Sequence, residues 1–229
     1  MEAIILAGGM GTRLASRVSG LPKAMAPVGG RPFLEILLRQ LERCGCTRAI
    51  LAVGYLHAAI EDHFGAAFGG LRLDYSVEQE RLGTGGAIRQ ALAMVRKDAA
   101  LVLNGDTYLD ADYAAMMALH RAENRPMTLA VVHQPDIARY GGVLVREGRV
   151  AGFEEKGRSG PGWINAGAYV MSREFPWPPA LAGKFSIERD VLAPGIKQLQ
   201  PAAFPVEGFF MDIGIPEDYD RAQTALSGL

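Results

Sequence analysis

Through the first half of the chain, apolar runs of strand length alternate with stretches whose apolar positions recur every third or fourth residue. Such alternation predicts parallel strands joined by crossover helices. Ala3 to Leu6 reads as a first strand, apolar on both faces and so buried on both. Phe33, Leu37 and Leu41 repeat at four-residue spacing with Glu35, Arg39 and Glu42 between them. That pattern predicts a helix from Pro32 to about Cys44, with Pro32 in its first turn and Gly45 at its exit. A strand over Ala49–Val53, a helix over His57–Phe64, a strand over Leu73–Val77, a helix over Gly85–Val95 and a strand over Ala100–Leu103 follow. Each strand ends at a loop carrying Gly or Asp.

After Met127 the texture changes to shorter strands, Thr128–Val132, Gly142–Arg146 and Val150–Glu154, with Glu147-Gly148 as a hairpin turn, and Trp163–Met171 as a further strand. Pro176 to Pro179 holds three prolines in four residues and must be a loop. No repeat of solenoid length occurs. The expected class is α/β, with a mixed, mostly parallel central sheet flanked by helices. At 229 residues the chain suits one domain, since a second full core would be cramped.

Composition narrows the chemistry. With 49% hydrophobic and 21% charged residues the chain is that of a folded protein. A net charge of -1, from 24 basic against 25 acidic residues, gives no general attraction for nucleic acid, so any phosphate binding must be local. Cys44 and Cys46, without further Cys or nearby His, frame neither a zinc site nor a disulfide scaffold and read as packed thiols in a reducing cytosol. The apolar start follows Glu2 rather than a basic segment, and no stretch approaches the ~20 apolar residues of a membrane span. A cytoplasmic protein without membrane attachment is expected.

The segment Leu6-Ala7-Gly8-Gly9-Met10-Gly11-Thr12-Arg13-Leu14 follows the first strand, where open α/β sheets bind ligands. Its glycines let backbone N–H groups approach a phosphate, and Arg13 adds a fixed charge. A dinucleotide fingerprint fails because Leu14 stands where a third Gly is needed, and a Walker loop fails for want of Gly-Lys-Ser/Thr. Ten residues past Arg13 comes Pro22-Lys23. Together, Gly8, Gly9, Gly11, Thr12, Arg13, Pro22 and Lys23 resemble the pattern of the sugar-1-phosphate nucleotidyltransferases. The resemblance implies a Rossmann-like nucleotidyltransferase fold, a nucleotide-binding half to about residue 126 and a sugar-binding half from 127.

The Ala100–Leu103 strand runs into Asn104-Gly105-Asp106, bringing a carboxylate to the edge where the glycine loop lies. Mg²⁺ favours one or two carboxylates plus phosphate oxygens, and Asp212, before Gly214 and Pro216, is the best second acid. In the resembled family both such residues bind the metal. The same likeness assigns Tyr140, Gly141, Glu154, Lys156 and Asn165 to the sugar phosphate: Glu154 and Asn165 bond hydroxyls, and Lys156 meets the phosphate. It also implies that the loop from Glu80 through Gly83 and Thr84 wraps the nucleobase. Guanine offers two adjacent donors that one carboxylate can accept, so Glu80 points to GTP.

Within the family the likeness is closest, at residues 21–28 and 51–55, to guanylyltransferases acting on D-glycero-α-D-manno-heptose 1-phosphate in bacterial surface-polysaccharide synthesis. One departure bears on base preference: the loop reads Gly-Thr-Gly-Gly-Ala where many relatives have Ala before the second glycine. The implied reaction is attack of a sugar phosphate oxygen on the α-phosphorus of GTP, with Arg13, Lys23 and Asp106 as catalytic residues and Mg²⁺ as cofactor. Transfer to mannose 1-phosphate is the nearest alternative. A silent nucleotide-sugar-binding subunit is a non-enzymatic one, free to lose Arg13, Lys23 or a metal Asp, all of which are kept here. Phe209-Phe210 and the Trp177 loop are the candidate contacts for a homodimer, and core packing explains them equally.

Overall fold

The computed structural model describes residues 1–228 except Met10, Thr12, Arg13, Ala15, Ser16 and Ser19. In chain order the elements are β1 (Glu2–Leu6), β2 (Pro27–Val28), β3 (Arg31–Pro32), α1 (Phe33–Arg43), β4 (Arg48–Val53), α2 (His57–Phe64), β5 (Ala67–Phe68), β6 (Leu71–Val77), α3 (Gly83–Leu92) and β7 (Ala99–Asn104). Then come β8 (Thr107–Leu109), α4 (Tyr113–Glu123), β9 (Met127–Gln134), β10 (Gly142–Arg146), β11 (Arg149–Glu154), β12 (Gly162–Ser172), a π-helical segment (Ile187–Leu192), α5 (Ala193–Leu199), β13 (Ala202–Val206), β14 (Phe210–Asp212) and α6 (Pro216–Ala225).

Among the described residues, ten strands form one sheet in the order β10-β11-β13-β9-β12-β7-β1-β4-β6-β5. The crossover pattern of the first half gives what it predicts: β7, β1, β4 and β6 are parallel neighbours. Across the whole sheet the expected parallel majority is lost. β12 runs antiparallel to both β7 and β9, and further antiparallel pairs come from β10–β11 and β5–β6, each a hairpin whose strands are joined by a two-residue turn. Glu147 and Gly148 both take positive φ, 50° and 70°, the signature of a type I′ hairpin turn between β10 and β11.

Side-chain alternation assigns the two faces. Ala3 and Ile5 of β1 join the core layer that holds Phe33, Leu37 and Leu41 of α1, while Ile4 joins the layer of Ala87, Ile88 and Leu92 from α3. Trp177 packs inward, its ring 4.7 Å from Phe175 and 5.8 Å from Phe185. Phe210 stacks edge-on to Tyr140 at 5.8 Å, and Phe209 is exposed.

At the amino ends of the parallel strands the pairing Glu2↔Arg48 sets up a buried ion cluster. Arg48 donates to Glu2 and to Asp74, each at 2.5 Å, and the second Glu2 oxygen accepts from the amides of Arg96 and Lys97. One charge network therefore holds the starts of β1, β4 and β6 and the approach to β7. Burial is the largest single influence on Glu2 and Asp74 and opposes their ionisation, yet the Arg48 bonds, joined by the Arg96 and Lys97 amides at Glu2 and by Arg72 at Asp74, hold both carboxyls below their ordinary values of 4.5 and 3.8. A depressed carboxyl contributes stability that is present above its unfolded pKa and lost as acid protonates it.

We expect Arg48→Met to lower unfolding free energy by about 3–5 kcal/mol, because it leaves a buried carboxylate without its cation. Urea denaturation at pH 7 and near pH 4 checks this. Wild type should weaken on acidification and the variant should weaken less, so the gap narrows; a gap independent of pH would remove the cluster from this role.

Candidate active site

A cleft of about 470 Å³ opens where β1, β4, β6 and β7 end, the edge at which open α/β sheets receive ligands. Leu6, Ala7, Gly8, Gly9, Gly11, Lys23, Gly83, Thr84, Asn104, Gly105 and Asp106 all line it, so the structure gathers these sequence-predicted residues around one cavity. Thr12 and Arg13 lie outside the described residues. The Gly105 amide donates to the Leu6 carbonyl at 3.1 Å, and a Cβ on Gly105 would stand 2.4 Å from that oxygen. Only glycine lets the end of β7 come this close to the glycine loop.

Lys23 begins a single 3₁₀ turn, Lys23–Met25, behind the restricted backbone of Pro22, and its amide donates to the Gly9 carbonyl at 3.3 Å. Its side chain is 10% exposed and its ammonium pairs with Asp106. Asp212 reaches the same spot from far along the chain. β14 pairs antiparallel with β8 so that Asp212 stands opposite Thr107, and the Ile213 amide donates to the Asp106 carbonyl at 2.9 Å. Burial first, then the Asp106 charge, raises the Asp212 pKa, while Lys23, the Gly214 amide and Arg139 oppose the rise. Two carboxylates and one lysine thus share a partly buried space. Among the described residues no three His, Cys, Asp or Glu side chains cluster, so any cation here would draw its remaining ligands from a substrate or water.

The residues expected on the sugar side form two groups beside the cleft. Gly142 pairs with Glu154, which brings Gly141 to Glu154 and Lys156, with Tyr140 the residue before. Glu154 is ion-paired with Arg158, and Lys156 is exposed. Arg139 lies over the Tyr140 ring at 4.4 Å and pairs with buried Asp218 of α6. Asn165 sits where β12 shifts register; its Nδ2 donates to Tyr169 and Glu188, and its Oδ1 accepts from Gly167. The irregularity presses Gly167 against Asn104, linking this group to the cleft wall.

Glu80 is placed differently from the expected wall of the base site. It is exposed and lines a neighbouring hollow with Tyr55, Leu56 and His57. The carboxylate on the cleft wall is that of Glu78, the first residue beyond β6, half-buried, with Oε2 accepting from the Leu82 amide at 2.9 Å. Burial raises its pKa against that hydrogen bond. Sequence reasoning passed over Glu78, although its place at a strand's carboxyl end was the available signal. Arg81 and Lys184 also line the cleft and were not singled out from the sequence.

The nucleotidyl transferase family matches residues 2–227. Over 226 residues the chain is 42% identical to the D-glycero-alpha-D-manno-heptose 1-phosphate guanylyltransferase of Aneurinibacillus thermoaerophilus, spanning 99% of this chain and 98% of that protein. It is 35% identical over 233 residues to the mannose-1-phosphate guanylyltransferase of Mycobacterium tuberculosis, spanning 99% of this chain and 64% of the other. HddC from Yersinia pseudotuberculosis, in its crystal structure complexed with GMP-PN, superposes with a TM-score of 0.85 at 36% identity over 98% of this chain and 99% of that one. With a family match and near-full-length identity added to a phosphate-suited cleft at the sheet's carboxyl edge, the chain belongs to the nucleotidyl transferase family.

Proposed function

We propose that this protein transfers GMP from GTP to a sugar 1-phosphate, with D-glycero-α-D-manno-heptose 1-phosphate as the acceptor, forming a GDP-sugar and pyrophosphate. The observation that carries the reading is the pairing of buried Lys23 with Asp106, beside Asp212, in a cleft walled by the glycine loop. The identity to heptose 1-phosphate guanylyltransferases supports the choice of acceptor. The product serves as an activated sugar for surface polysaccharide. GTP as substrate and the free thiols of Cys44 and Cys46 suit the cytoplasm, and among the described residues no helix is long and apolar enough to cross a membrane.

The acceptor's phosphate oxygen attacks the α-phosphorus of GTP, forming the new P–O bond as the bridging bond to the β-phosphate breaks. The nucleophile is already an anion, so no general base is required and catalysis is positioning and charge neutralisation. Amides of Gly8, Gly9 and Gly11, with Arg13, hold the β- and γ-phosphates. Lys23 serves the α-phosphate and the incoming oxygen. Tyr140, Gly141, Glu154, Lys156 and Asn165 orient the sugar. Asp106 and Asp212 fit Mg²⁺, since two crowded carboxylates match its preference for few protein oxygens plus substrate phosphates. A bound Mg²⁺ supplies charge neutralisation on the phosphate oxygens.

Glu78 takes the base-reading role expected of Glu80. Its unshared oxygen, on the cleft wall near Gly8, accepts the N1–H and amino protons of guanine.

A pyrophosphate-release screen of four NTPs against heptose and mannose 1-phosphates should give the highest kcat/KM with GTP and the heptose. A preference for UTP or dTTP would displace the guanylyl assignment. Lys23→Ala should cut kcat/KM roughly 10²- to 10³-fold with an unchanged circular dichroism spectrum; full activity would remove Lys23 from the chemistry. Glu78→Gln puts a donor in place of an acceptor and should raise KM for GTP about tenfold. Because burial raises the Glu78 pKa, protonation should weaken GTP binding on acidification before an ordinary glutamate would, and Glu78→Gln should lack that limb of the KM–pH profile.

A further inference from the structure

Lys184 comes to the cleft on a strap, residues 181–187, that crosses from the second half of the chain onto the amino end of α3. The strap is fastened at both its ends and its middle. The Phe185 amide donates to the Leu82 carbonyl at 2.9 Å and the Gly85 amide returns a bond to the Phe185 carbonyl at 3.0 Å. The Ile187 amide donates to the Thr84 hydroxyl at 3.1 Å, and Arg89 donates to the Leu181 carbonyl at 2.7 Å while lying 5.0 Å from the centre of the Phe185 ring.

The fit leaves no room for side chains underneath. A Cβ on Gly83 would stand 2.6 Å from the Phe185 carbonyl oxygen, and one on Gly85 would stand 2.4 Å from two carbons of the Phe185 ring. The Gly-Thr-Gly-Gly run thus seats the strap, and a strap seated this closely fixes the backbone from which Lys184 projects. Four residues on, Glu188 accepts from Asn165, so the strap reaches from the cleft to the group placed on the sugar side. Lys184 is exposed at the mouth of the cleft, whose lining also holds Gly8, Gly9, Lys23 and Asp106.

We propose that Lys184 is a substrate-binding residue of the transfer reaction, donating to a phosphate oxygen of a reactant in the cleft. The inference rests on the nucleotidyl-transfer reading above. The acceptor's phosphate and the nucleotide's phosphates present the same non-bridging oxygens, and the connection to Asn165 favours the acceptor. An ammonium on a flexible stem suits such a target as a mobile point charge.

Steady-state kinetics of Lys184→Met and Lys184→Arg decide the matter, with Lys197→Met of α5, an exposed lysine outside the cleft lining, as the equal-charge control. Lys184→Met should raise KM for the sugar 1-phosphate about tenfold or more, Lys184→Arg should recover most of it, and Lys197→Met should match wild type. The same rise confined to GTP assigns the nucleotide's phosphates and keeps the proposal. Identical constants for Lys184→Met and Lys197→Met with an active wild type overturn it while leaving the transfer reaction standing. A wild type inactive with every NTP and acceptor pair would sink the transfer reading itself, and this inference with it.

Discussion

The pairing of buried Lys23 with Asp106 is the interaction on which the site depends. An ammonium removed from water costs several kcal/mol unless a partner repays it. Lys23 therefore requires a carboxylate at the end of β7, and the approach of β7 to the glycine loop at Gly105 delivers one. Asp212 follows through the short β14–β8 ladder rather than through the main sheet. Three residues distant in sequence thus meet because two backbone contacts, Gly105 to Leu6 and Ile213 to Asp106, fix their strands at one point.

The same economy appears in the sheet. Three of the four parallel strands, and the loop that leads into the fourth, are tied together by the Arg48 network, away from the carboxyl ends that part into loops around the cleft. β12 then enters antiparallel beside β7 and joins the second half to the first without a boundary in the sheet. At its register shift near Asn165 regular pairing is interrupted, and Gly167 meets Asn104 on the cleft wall.

Much of the first half was legible because its chemistry is local. Strand burial, the spacing of Phe33, Leu37 and Leu41, and the glycine loop are written in consecutive residues; the structure shifts the bounds of the expected elements, with α3 opening at Gly83 rather than Gly85 and α1 at Phe33 rather than Pro32, and adds the two-residue strands β2, β3 and β5. What escaped was set by tertiary contact. The helix Tyr113–Glu123 carries a weakly amphipathic face, and the π-helical turn after Ser186 buries Ile187 and Val191 in the core layer that holds Ile88 and Phe185. Glu78 and Glu80 lie two residues apart and cannot be ranked from spacing alone; the end of β6 at Val77 decides which faces the cleft. Lys184 was illegible for the same reason, since nothing near it in sequence announces the seat on α3. The glycines of that seat were visible, but a sequence does not say whether a glycine makes room for a ligand or for its own chain.

Charge links these parts of the cleft. Asp106 and Asp212 stand together beside the single ammonium of Lys23, and burial first, then the Asp106 charge, raises the pKa of Asp212 against the opposing pull of Lys23. A polyphosphate brought to such a site meets net repulsion unless cations arrive with it or line its path. Backbone amides offer only partial charges, so further positive charge must come from a divalent ion, from side chains at the rim, or from both. A rim lysine on a strap is then favoured by the electrostatics of the floor: it adds attraction at the mouth, where solvent keeps its own desolvation small, while the buried lysine stays paired with its carboxylate. The division is between an inner cation fixed by a carboxylate and an outer one fixed by backbone seating.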